Sequence, residues 1–231
     1  MSSCSPASSG IHPLERYYRL HAKVYDASRW SFLFGRDRLL RLLAAYNQPR
    51  NILEVGCGTG RNLQRLRPLF PHAQLTGLDL SQDMLDQARR KLAGASPPII
   101  WRHQAYDQPL QSDPPFDLLL FSYALTMFNP GWLEAIAAAH HDLAPGGLVA
   151  VVDFHTSPFP WFVRWMAYNH VRLAGHLLPA LQDQFSTRHL EIRPAYGGLW
   201  SYFLFIGQKE KIEEGKGQGK WHLVKKDTPI A

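Results

Sequence analysis

The sequence contains few cysteines and no long apolar run, and each absence narrows what the chain can be. Cys4 and Cys57 are the only two cysteines among its 231 residues, too few for a disulfide framework, so we expect a reducing, cytoplasmic setting. Residues 1–10 lack the charged start and apolar run of a secretory signal peptide. The most apolar stretch, residues 115–133, is interrupted by an aspartate and a proline, so no membrane-spanning helix is predicted.

Charge and composition favour an anionic partner without identifying it. The formal net charge is +6, which suits an acidic lipid surface, a nucleic acid or an acidic substrate, although the same charge can serve solubility alone. The basic residues are scattered, and the sequence has neither an Asn-Pro-Pro-Tyr-type motif nor an added RNA-binding module. We therefore expect no nucleic-acid partner.

Short apolar runs alternate with helical patterns along most of the chain. Strands are predicted at 52–55, 74–78, 99–103, 116–121, 148–154, 189–196 and 202–206. Helices are predicted between them at 62–70, 84–93 and 132–143. Strands separated by helices of this length form βαβ units, so the predicted fold class is a single α/β, Rossmann-like domain with a mostly parallel seven-stranded sheet and helices on both faces.

The pattern and composition of the sequence also predict one domain with two flanking segments. The predicted divisions are a disordered N-terminus at 1–10, a domain over 11–207 and a flexible charged tail at 208–231. Within the domain they are an N-terminal helical cap at 14–46, a ligand-binding core at 50–155 and an aromatic helical insertion at 158–185.

The strongest motif is a glycine-rich turn between the first predicted strand and the helix after it. Its sequence is Leu53-Glu54-Val55-Gly56-Cys57-Gly58-Thr59-Gly60. A dinucleotide fold would show G-x-G-x-x-G, with a pyrophosphate on the helix N-terminus, whereas the spacing here is G-x-G-x-G. Glu54 would repel a pyrophosphate but suits a ligand that carries a positive amino group. NAD binding is the structural alternative.

A second acidic residue, Asp79, follows the next predicted strand. It lies about 20 positions after the glycine turn, where a carboxylate can bind the two hydroxyls of a ribose. Together the two features favour a nucleoside that bears an amino acid and no phosphate.

These residues resemble the class I methyltransferases that use S-adenosylmethionine, and the resemblance covers residues 50–155. It implies S-adenosyl-L-methionine as cofactor, S-adenosyl-L-homocysteine as product, and contact between the glycine turn and the methionine part. Gln104 stands where the family usually has an acidic residue, so either its amide bonds the adenine or the backbone of Ala105 and Tyr106 does. The predicted cofactor-binding residues are Glu54, Gly56, Cys57, Gly58, Thr59, Gly60, Asn62, Asp79, Leu80, Ser81, Met84, Gln104, Ala105, Tyr106 and Ser122.

Four residues are predicted to serve catalysis on the acceptor side. Tyr25 lies in the helical cap, and Tyr123 follows the fourth predicted strand at the edge where open α/β sheets bind ligands. Aromatic faces suit a methylated ammonium product through cation–π attraction, so we place both tyrosines beside the transferring methyl group. Asp153 and His155 follow the fifth strand as candidate substrate contacts, and the alternative for His155 is a hydrogen-bonded loop histidine.

The insertion at 158–185 is rich in aromatic residues. Trp161 and Arg164, with Tyr17 and Tyr18 of the cap, are the predicted substrate contacts. Tryptophan, tyrosine and arginine together suit a membrane interface or a lipid-binding lid. Apolar residues fall nearly all round the helical projection, which also fits a buried helix or a homo-oligomer contact, and for Tyr17 and Tyr18 the alternative is packing onto the core.

A second resemblance concerns the acceptor. The segments Tyr17-Tyr-Arg-Leu-His-Ala-Lys-Val-Tyr-Asp26, Phe34-Gly-Arg-Asp-Arg38, Phe121-Ser-Tyr-Ala-Leu-Thr-Met127 and Val151-Val-Asp-Phe154 resemble diacylglyceryl-homoserine N-methyltransferases, the methyltransferase half of betaine-lipid synthase. The likeness runs through most of residues 14–207. It implies three successive N-methylations of a homoserine amine carried on diacylglycerol, at the inner face of a membrane. Phosphatidylethanolamine methylation, a soluble acceptor and a non-catalytic cofactor-binding subunit are the alternatives.

Overall fold

The structure is a computed structural model, and it describes residues 32–46 and 48–211. The seven strands are β1 Asn51–Val55, β2 Gln74–Asp79, β3 Ile100–His103, β4 Phe116–Ser122, β5 Leu143–Phe154, β6 Ser186–Ala195 and β7 Trp200–Gln208. The α-helices of the described part are α1 Arg36–Leu43, α2 Arg61–Leu69, α3 Gln82–Lys91, α4 Trp132–Asp142, α5 Pro160–Tyr168 and α6 Leu177–Gln184. None of these helices is both long and apolar enough to cross a bilayer.

The strands form one sheet in the order β3-β2-β1-β4-β5-β7-β6. β1 to β5 pair in parallel, and β7 runs antiparallel to both of its neighbours. The chain moves outward from β1 to β3 and then returns to place β4 beside β1, so the strand order reverses between those two strands. In an open α/β sheet this reversal leaves a crevice at the carboxyl ends of the strands, where ligands bind. The predicted Rossmann-like α/β fold is confirmed.

Apolar side chains cover both faces of the sheet. Leu39 of α1, Leu66 of α2 and Phe162 of α5 belong to the core on one face, whereas Ile136 of α4 and Leu181 of α6 belong to the core on the other. β4 is buried on both sides along nearly its whole length, as expected for a central strand of a parallel sheet. Each fully buried leucine of this kind stabilises the fold by about 1.5–3 kcal/mol relative to an exposed one.

Several predicted boundaries are corrected by the structure. β5 begins at Leu143 rather than 148, because Leu143 pairs with Phe116 and the backbone of Gly146 and Gly147 bonds to Lys209. β6 begins at 186 rather than 189. The insertion contains two separate helices, α5 and α6.

The flanking predictions are only partly covered by the described residues. The predicted cap at 14–46 is described from residue 32 onward, where α1 occupies its last part. The predicted tail starts at 208, and there β7 still continues to Gln208. Residues 1–31 and 212–231, and with them the predicted disordered segments, lie outside the described residues.

Candidate active site

The turn between β1 and α2 brings backbone to the reversal point of the sheet. Gly56, Gly58 and Gly60 all have positive φ, at 69°, 53° and 75°, a conformation that L side chains rarely adopt. A side chain at Gly56 would also lie 2.8 Å from the Cβ of Ala124, whereas nothing lies within 4 Å of a Cβ at Gly58. The turn therefore presents bare backbone beside open space, as close approach by a ligand requires.

Asp79, at the end of β2, is held against this turn. Its Oδ2 accepts a hydrogen bond from Gly58 N at 2.7 Å, and its Oδ1 accepts one from Ser81 N at 2.9 Å. Ser81 caps α3, since its Oγ accepts from Met84 N. The two backbone donors fix the carboxylate at the rim of the crevice, and the remaining lone pairs of its oxygens can accept from the hydroxyls of a ribose.

An apolar cavity of about 210 Å³ opens on one side of the turn. Six predicted cofactor residues line it besides the glycines, from the β2 edge and the segment after β3. Its lining is Gly56, Gly58, Leu78, Asp79, Leu80, Met84, Gln104, Ala105, Tyr106, Asp107, Tyr123, Ala124, Met127, Phe128, Pro130 and Gly131. Largely apolar walls with two carboxylates, those of Asp79 and Asp107, fit a nucleoside.

A polar cavity of about 310 Å³ opens on the other side and shares Gly56 and Gly58 with the first. It is lined by Leu33, Arg36, Glu54, Gly56, Cys57, Gly58, Thr59, Arg61, Asn62, Gln64, Arg65 and Lys91. The predicted cofactor residues thus divide into an apolar set and a polar set that meet at the glycine turn. That division matches a ligand with a nucleoside at one end and a charged amino acid at the other.

Glu54 is the central group of the polar cavity. Its Oε1 accepts a hydrogen bond from Asn62 Nδ2 at 2.7 Å. Its Oε2 and the Oδ1 of Asn62 are buried and have no hydrogen-bond partner among the described residues. Burial raises the pKa of Glu54 to about 8, although the hydrogen bond from Asn62 and the charge of Arg36 lower it. Two orphaned buried acceptors fit an ammonium group, so these residues fit the amino-acid end of S-adenosylmethionine.

Tyr123 borders the apolar cavity from the end of β4. Its backbone φ is +55°, which is rare for a bulky residue and marks local strain. Its hydroxyl donates to Phe34 O at 2.8 Å, and the guanidinium of Arg36 lies 5.9 Å from the centre of its ring. Burial raises the pKa of Tyr123 well above its usual value, so the hydroxyl stays protonated. The hydroxyl is bonded to Phe34 O, and the residue lines the apolar cavity.

Asp153 lies in the interior, where its hydrogen bonds hold a neighbouring turn in place. Its Oδ1 accepts from Thr126 Oγ1 at 2.5 Å and from Phe154 N at 2.8 Å, and its Oδ2 accepts from Thr126 N at 3.2 Å. Asp153 is fully buried and lines neither cavity of the described structure. These bonds hold the 3-10 turn Leu125–Met127, which carries Met127 into the apolar cavity.

The remaining predicted residues lie at or beyond the margin of the two cavities. Ser122 is buried at the end of β4, and its Oγ has no described partner. His155 packs near Phe203, at 6.1 Å between ring centres, and burial lowers its pKa. Trp161 and Arg164 lie on the exposed side of α5. Tyr17, Tyr18 and Tyr25 lie outside the described residues.

Sequence reasoning missed three groups that the structure brings to the site. Arg36 reaches the polar cavity from the start of α1, and Met127 and Phe128 close the apolar cavity. No glycine pattern or charge pattern marks these positions, because each depends on which elements the fold brings together.

Comparison with known proteins agrees with this geometry. Residues 52–147 match the family described as "Methyltransferase domain". The trans-aconitate 2-methyltransferase of Methylobacterium nodulans is 36% identical over 103 residues, which are 45% of this chain and 38% of that protein. The malonyl-[acyl-carrier protein] O-methyltransferase of Priestia megaterium is 29% identical over 148 residues, 63% of this chain and 53% of that protein.

A solved structure shares the fold. The N-methyltransferase NodS of Bradyrhizobium japonicum, in complex with S-adenosyl-L-homocysteine, superimposes with a TM-score of 0.61 and 21% identity, over 75% of this chain and 85% of NodS. By sequence, the chain spans only 38% of the length of the trans-aconitate methyltransferase it matches.

Proposed function

Since the chain carries a class I, S-adenosylmethionine-dependent methyltransferase domain, we propose that it methylates an amine in a lipid headgroup. Its cofactor is S-adenosylmethionine, whose sulfonium supplies an electrophilic methyl group for direct transfer. The acceptor we favour is diacylglyceryl-homoserine, methylated three times to a betaine lipid. The protein would then act while bound peripherally to a membrane.

The two cavities support the following cofactor contacts. In the polar cavity, Glu54 and Asn62 accept from the amino group. In the apolar cavity, Asp79 accepts from the ribose hydroxyls, and Leu80 and Met84 pack against the adenine. The reacting end then falls near Gly56, where the two cavities meet, and beside Ala124 and the Tyr123 ring.

The apolar lining also favours the reactive state of an amine acceptor. An amine attacks only when it is unprotonated, and desolvation in an apolar site lowers the pKa of an amine. Once methylated, the nitrogen is a cation, which the face of the Tyr123 ring stabilises through cation–π attraction. Positioning and desolvation therefore supply much of the chemistry without a dedicated catalytic triad.

The observation that carries the lipid assignment is a continuous row of aromatic rings from the apolar cavity to the surface. Ring centres lie 4.7 Å apart for Tyr123 and Phe154, and 5.0 Å apart for Phe154 and Trp200. They lie 6.4 Å apart for Trp200 and Phe32, and 6.1 Å apart for Phe32 and Trp165. Tyr123, Phe154 and Trp200 are buried, so this row links the cavity to the surface through packed core contacts and does not open a channel.

The row ends at an open aromatic groove of about 370 Å³, lined by Phe32, Trp161, Phe162, Trp165, Tyr196 and Leu199. Trp161 is 58% exposed, Trp165 47% and Tyr168 of the same helix 85%. Contiguous exposed apolar surface of this kind marks an interaction site, and tryptophan and tyrosine are the residues that favour a membrane interface. The groove therefore supports peripheral association with a membrane.

Methyl transfer from labelled S-adenosylmethionine to liposomes tests the proposal. We expect label in mono-, di- and trimethylated lipid when the liposomes contain diacylglyceryl-homoserine. Label only in a parallel set with phosphatidylethanolamine would change the acceptor to that phospholipid. Binding of the cofactor without label in either set would refute the lipid assignment.

Variants of the groove sharpen the same experiment. Replacing both Trp161 and Trp165 with alanine should lower the rate on liposomes at least fivefold, since each tryptophan gives up apolar contact with the membrane. Leu133→Ala is the matched control, because Leu133 is 54% exposed on α4, on the opposite face of the sheet. Equal losses from the groove pair and from the control would contradict a role for the groove.

A soluble carboxylic acid is the second candidate acceptor, and one cavity favours it. A cavity of about 280 Å³ is lined by Arg36, Arg38, Arg41 and Arg61, together with Asp37 and neighbours, and the guanidinium of Arg38 already forms a bidentate pair with Glu191. Arginine forks recognise carboxylates, and the relatives named above include a trans-aconitate methyltransferase. Label in a soluble acid, with no dependence on liposomes, would favour this candidate.

A further inference from the structure

The wall of the apolar cavity includes a long connection without regular structure. Residues 104–115 join β3 to β4, and the four that line the cavity are Gln104, Ala105, Tyr106 and Asp107. Such a connection has no ladder or helix of its own to hold it. Its shape therefore depends on bonds to other elements.

Asn51 Nδ2 donates to Pro114 O and Pro115 O at the end next to β4, and three further bonds converge on one side chain, Asp142, the last residue of α4. Its Oδ2 accepts from Tyr106 Oη at 2.9 Å and from Leu110 N at 2.9 Å, and its Oδ1 accepts from Gln111 N at 3.3 Å. Asp142 is only 3% exposed. Both carboxylate oxygens are thus committed to a connection that lies more than 30 positions earlier in the chain.

The connection is held in a conformation that it would not adopt unaided. Gln111 has a φ of +52°, in the left-handed region that residues other than glycine and asparagine disfavour. Burial and the charge of Asp142 raise the pKa of Tyr106, so its hydroxyl remains a donor to that carboxylate. The ring of Tyr106 packs at 6.1 Å from Phe121 of β4, which leaves it in the wall of the cavity.

We propose that Asp142 is a positioning residue for the cofactor, which acts by holding Tyr106 and the Leu110–Gln111 backbone in the shape of the nucleoside pocket. A wall that is already ordered spares the cofactor the entropy of ordering it on binding. Asp142 lies outside both cavities and touches neither the cofactor nor the reacting atoms. Its effect therefore falls on cofactor affinity and leaves the transfer step itself unchanged.

Binding of S-adenosyl-L-homocysteine to the purified chain, measured by isothermal titration calorimetry, tests this role. We expect Asp142→Asn to raise the Kd about tenfold, which corresponds to about 1.4 kcal/mol. The asparagine replaces one acceptor oxygen by an NH2 donor, and that donor then faces groups that are themselves donors. Tyr106→Phe removes one of the three bonds and should raise the Kd about threefold. Hydrogen exchange should quicken over residues 104–111 in both variants.

Asp117→Asn is the matched control. Asp117 accepts from Arg50 N at 2.8 Å and from Asn51 N at 3.0 Å, so it also holds backbone with a carboxylate, but at the start of β4, away from both cavities. Its substitution should lower stability and leave the Kd within twofold of the wild type. With saturating cofactor, Asp142→Asn should keep its kcat within about twofold.

Three results would overturn the inference: an unchanged Kd in both test variants, an equal rise in Kd in the control, or a loss confined to kcat. If Asp142→Asn does not fold, Tyr106→Phe gives the answer alone. The inference rests on the cofactor site and not on the acceptor, so a failed liposome assay leaves it standing. Loss of binding in the wild type would instead refute the cofactor site itself.

Discussion

Two regions, one in the crevice and one in the interior beside it, each contain a buried carboxylate, and the two carboxylates differ in their hydrogen bonding. Glu54, beside the glycine turn, has one oxygen bonded to Asn62 and one without a described partner, and burial raises its pKa to about 8. Asp153, at the end of β5, has both oxygens bonded, to Thr126 and Phe154. Burial raises the pKa of Asp153 only to about 6, because those hydrogen bonds lower it.

The difference separates a binding group from a structural one. An unpaired buried acceptor costs about 1–3 kcal/mol, and one that borders a cavity can recover that cost when a ligand donates to it. Asp153 accepts three hydrogen bonds and lines neither cavity of the described residues, so it is not placed to meet a ligand. Substitution of Glu54 should therefore change the affinity for the cofactor, whereas substitutions around Asp153 should change the stability of the fold.

The largest expected effect follows from Glu54→Gln. The substitution keeps the shape but removes the charge that we propose pairs with the ammonium group, a loss of about 2–3 kcal/mol for a charged hydrogen bond. We expect the Kd for S-adenosyl-L-homocysteine at about pH 8.5 to rise about 30-fold or more, measured by calorimetry.

The same variant should keep or raise the stability of the free protein, although it weakens cofactor binding. Glutamine removes a carboxylate that is costly to ionise in the fold, so Tm without cofactor should stay equal or rise above pH 8. A Kd within threefold of the wild type, or a large drop in Tm, would contradict the assignment of Glu54 as the ammonium site.

The next effect is the pH dependence of cofactor binding. Since the pKa of Glu54 is about 8 in the free protein, most molecules carry it protonated at neutral pH, and binding the ammonium group must release that proton. Between about pH 6 and 8 the Kd should fall about tenfold per pH unit and then level off. Calorimetry in two buffers of different ionisation enthalpy should detect the proton released.

The same pKa shift also predicts how the stability of the free protein changes with pH. The pKa of Glu54 is raised from 4.5 unfolded to about 8 folded, so its contribution is fully present below pH 4.5 and is lost as pH rises through 8. The slope of Kd against pH should vanish in Glu54→Gln. An unchanged slope in that variant would mean that another group carries the proton.

A smaller effect, confined to stability, is expected on the Asp153 side. Thr126→Val keeps the volume but deletes the hydroxyl that donates to Asp153 Oδ1. Leaving a buried carboxylate short of one donor should lower the free energy of unfolding by about 2 kcal/mol in urea titrations. The Kd for S-adenosyl-L-homocysteine should change less than threefold, and a tenfold change would place the Asp153 region in the binding site.

The sequence predicted the two regions unequally, for a physical reason. The glycine turn, Glu54 and Asp79 lie within one βαβ unit, so their spacing along the chain already fixes their proximity. The bonding of Asp153 depends on a turn that precedes it by 27 positions, and that of Asp142 on a connection more than 30 positions away. No local pattern encodes contacts of that range, which is why Asp153 was predicted as a substrate contact and Asp142 was not singled out.

The smallest expected effect comes from Tyr123, which lies between the two regions and was predicted to be catalytic. Its hydroxyl already donates to Phe34 O at 2.8 Å, and burial raises its pKa, so it is poorly suited to exchange a proton with an amine. Tyr123→Phe keeps the aromatic ring and removes one hydrogen bond, which should cost about 1 kcal/mol of unfolding free energy. Methyl transfer, measured at saturating cofactor on whichever acceptor the wild type accepts, should keep its kcat within about threefold. If the product is the methylated ammonium proposed above, Tyr123→Leu, which removes the aromatic ring as well, should lose at least tenfold more, because that cation then has no ring to stabilise it. If the phenylalanine variant were as impaired as the leucine variant, the hydroxyl rather than the ring would carry the catalytic role.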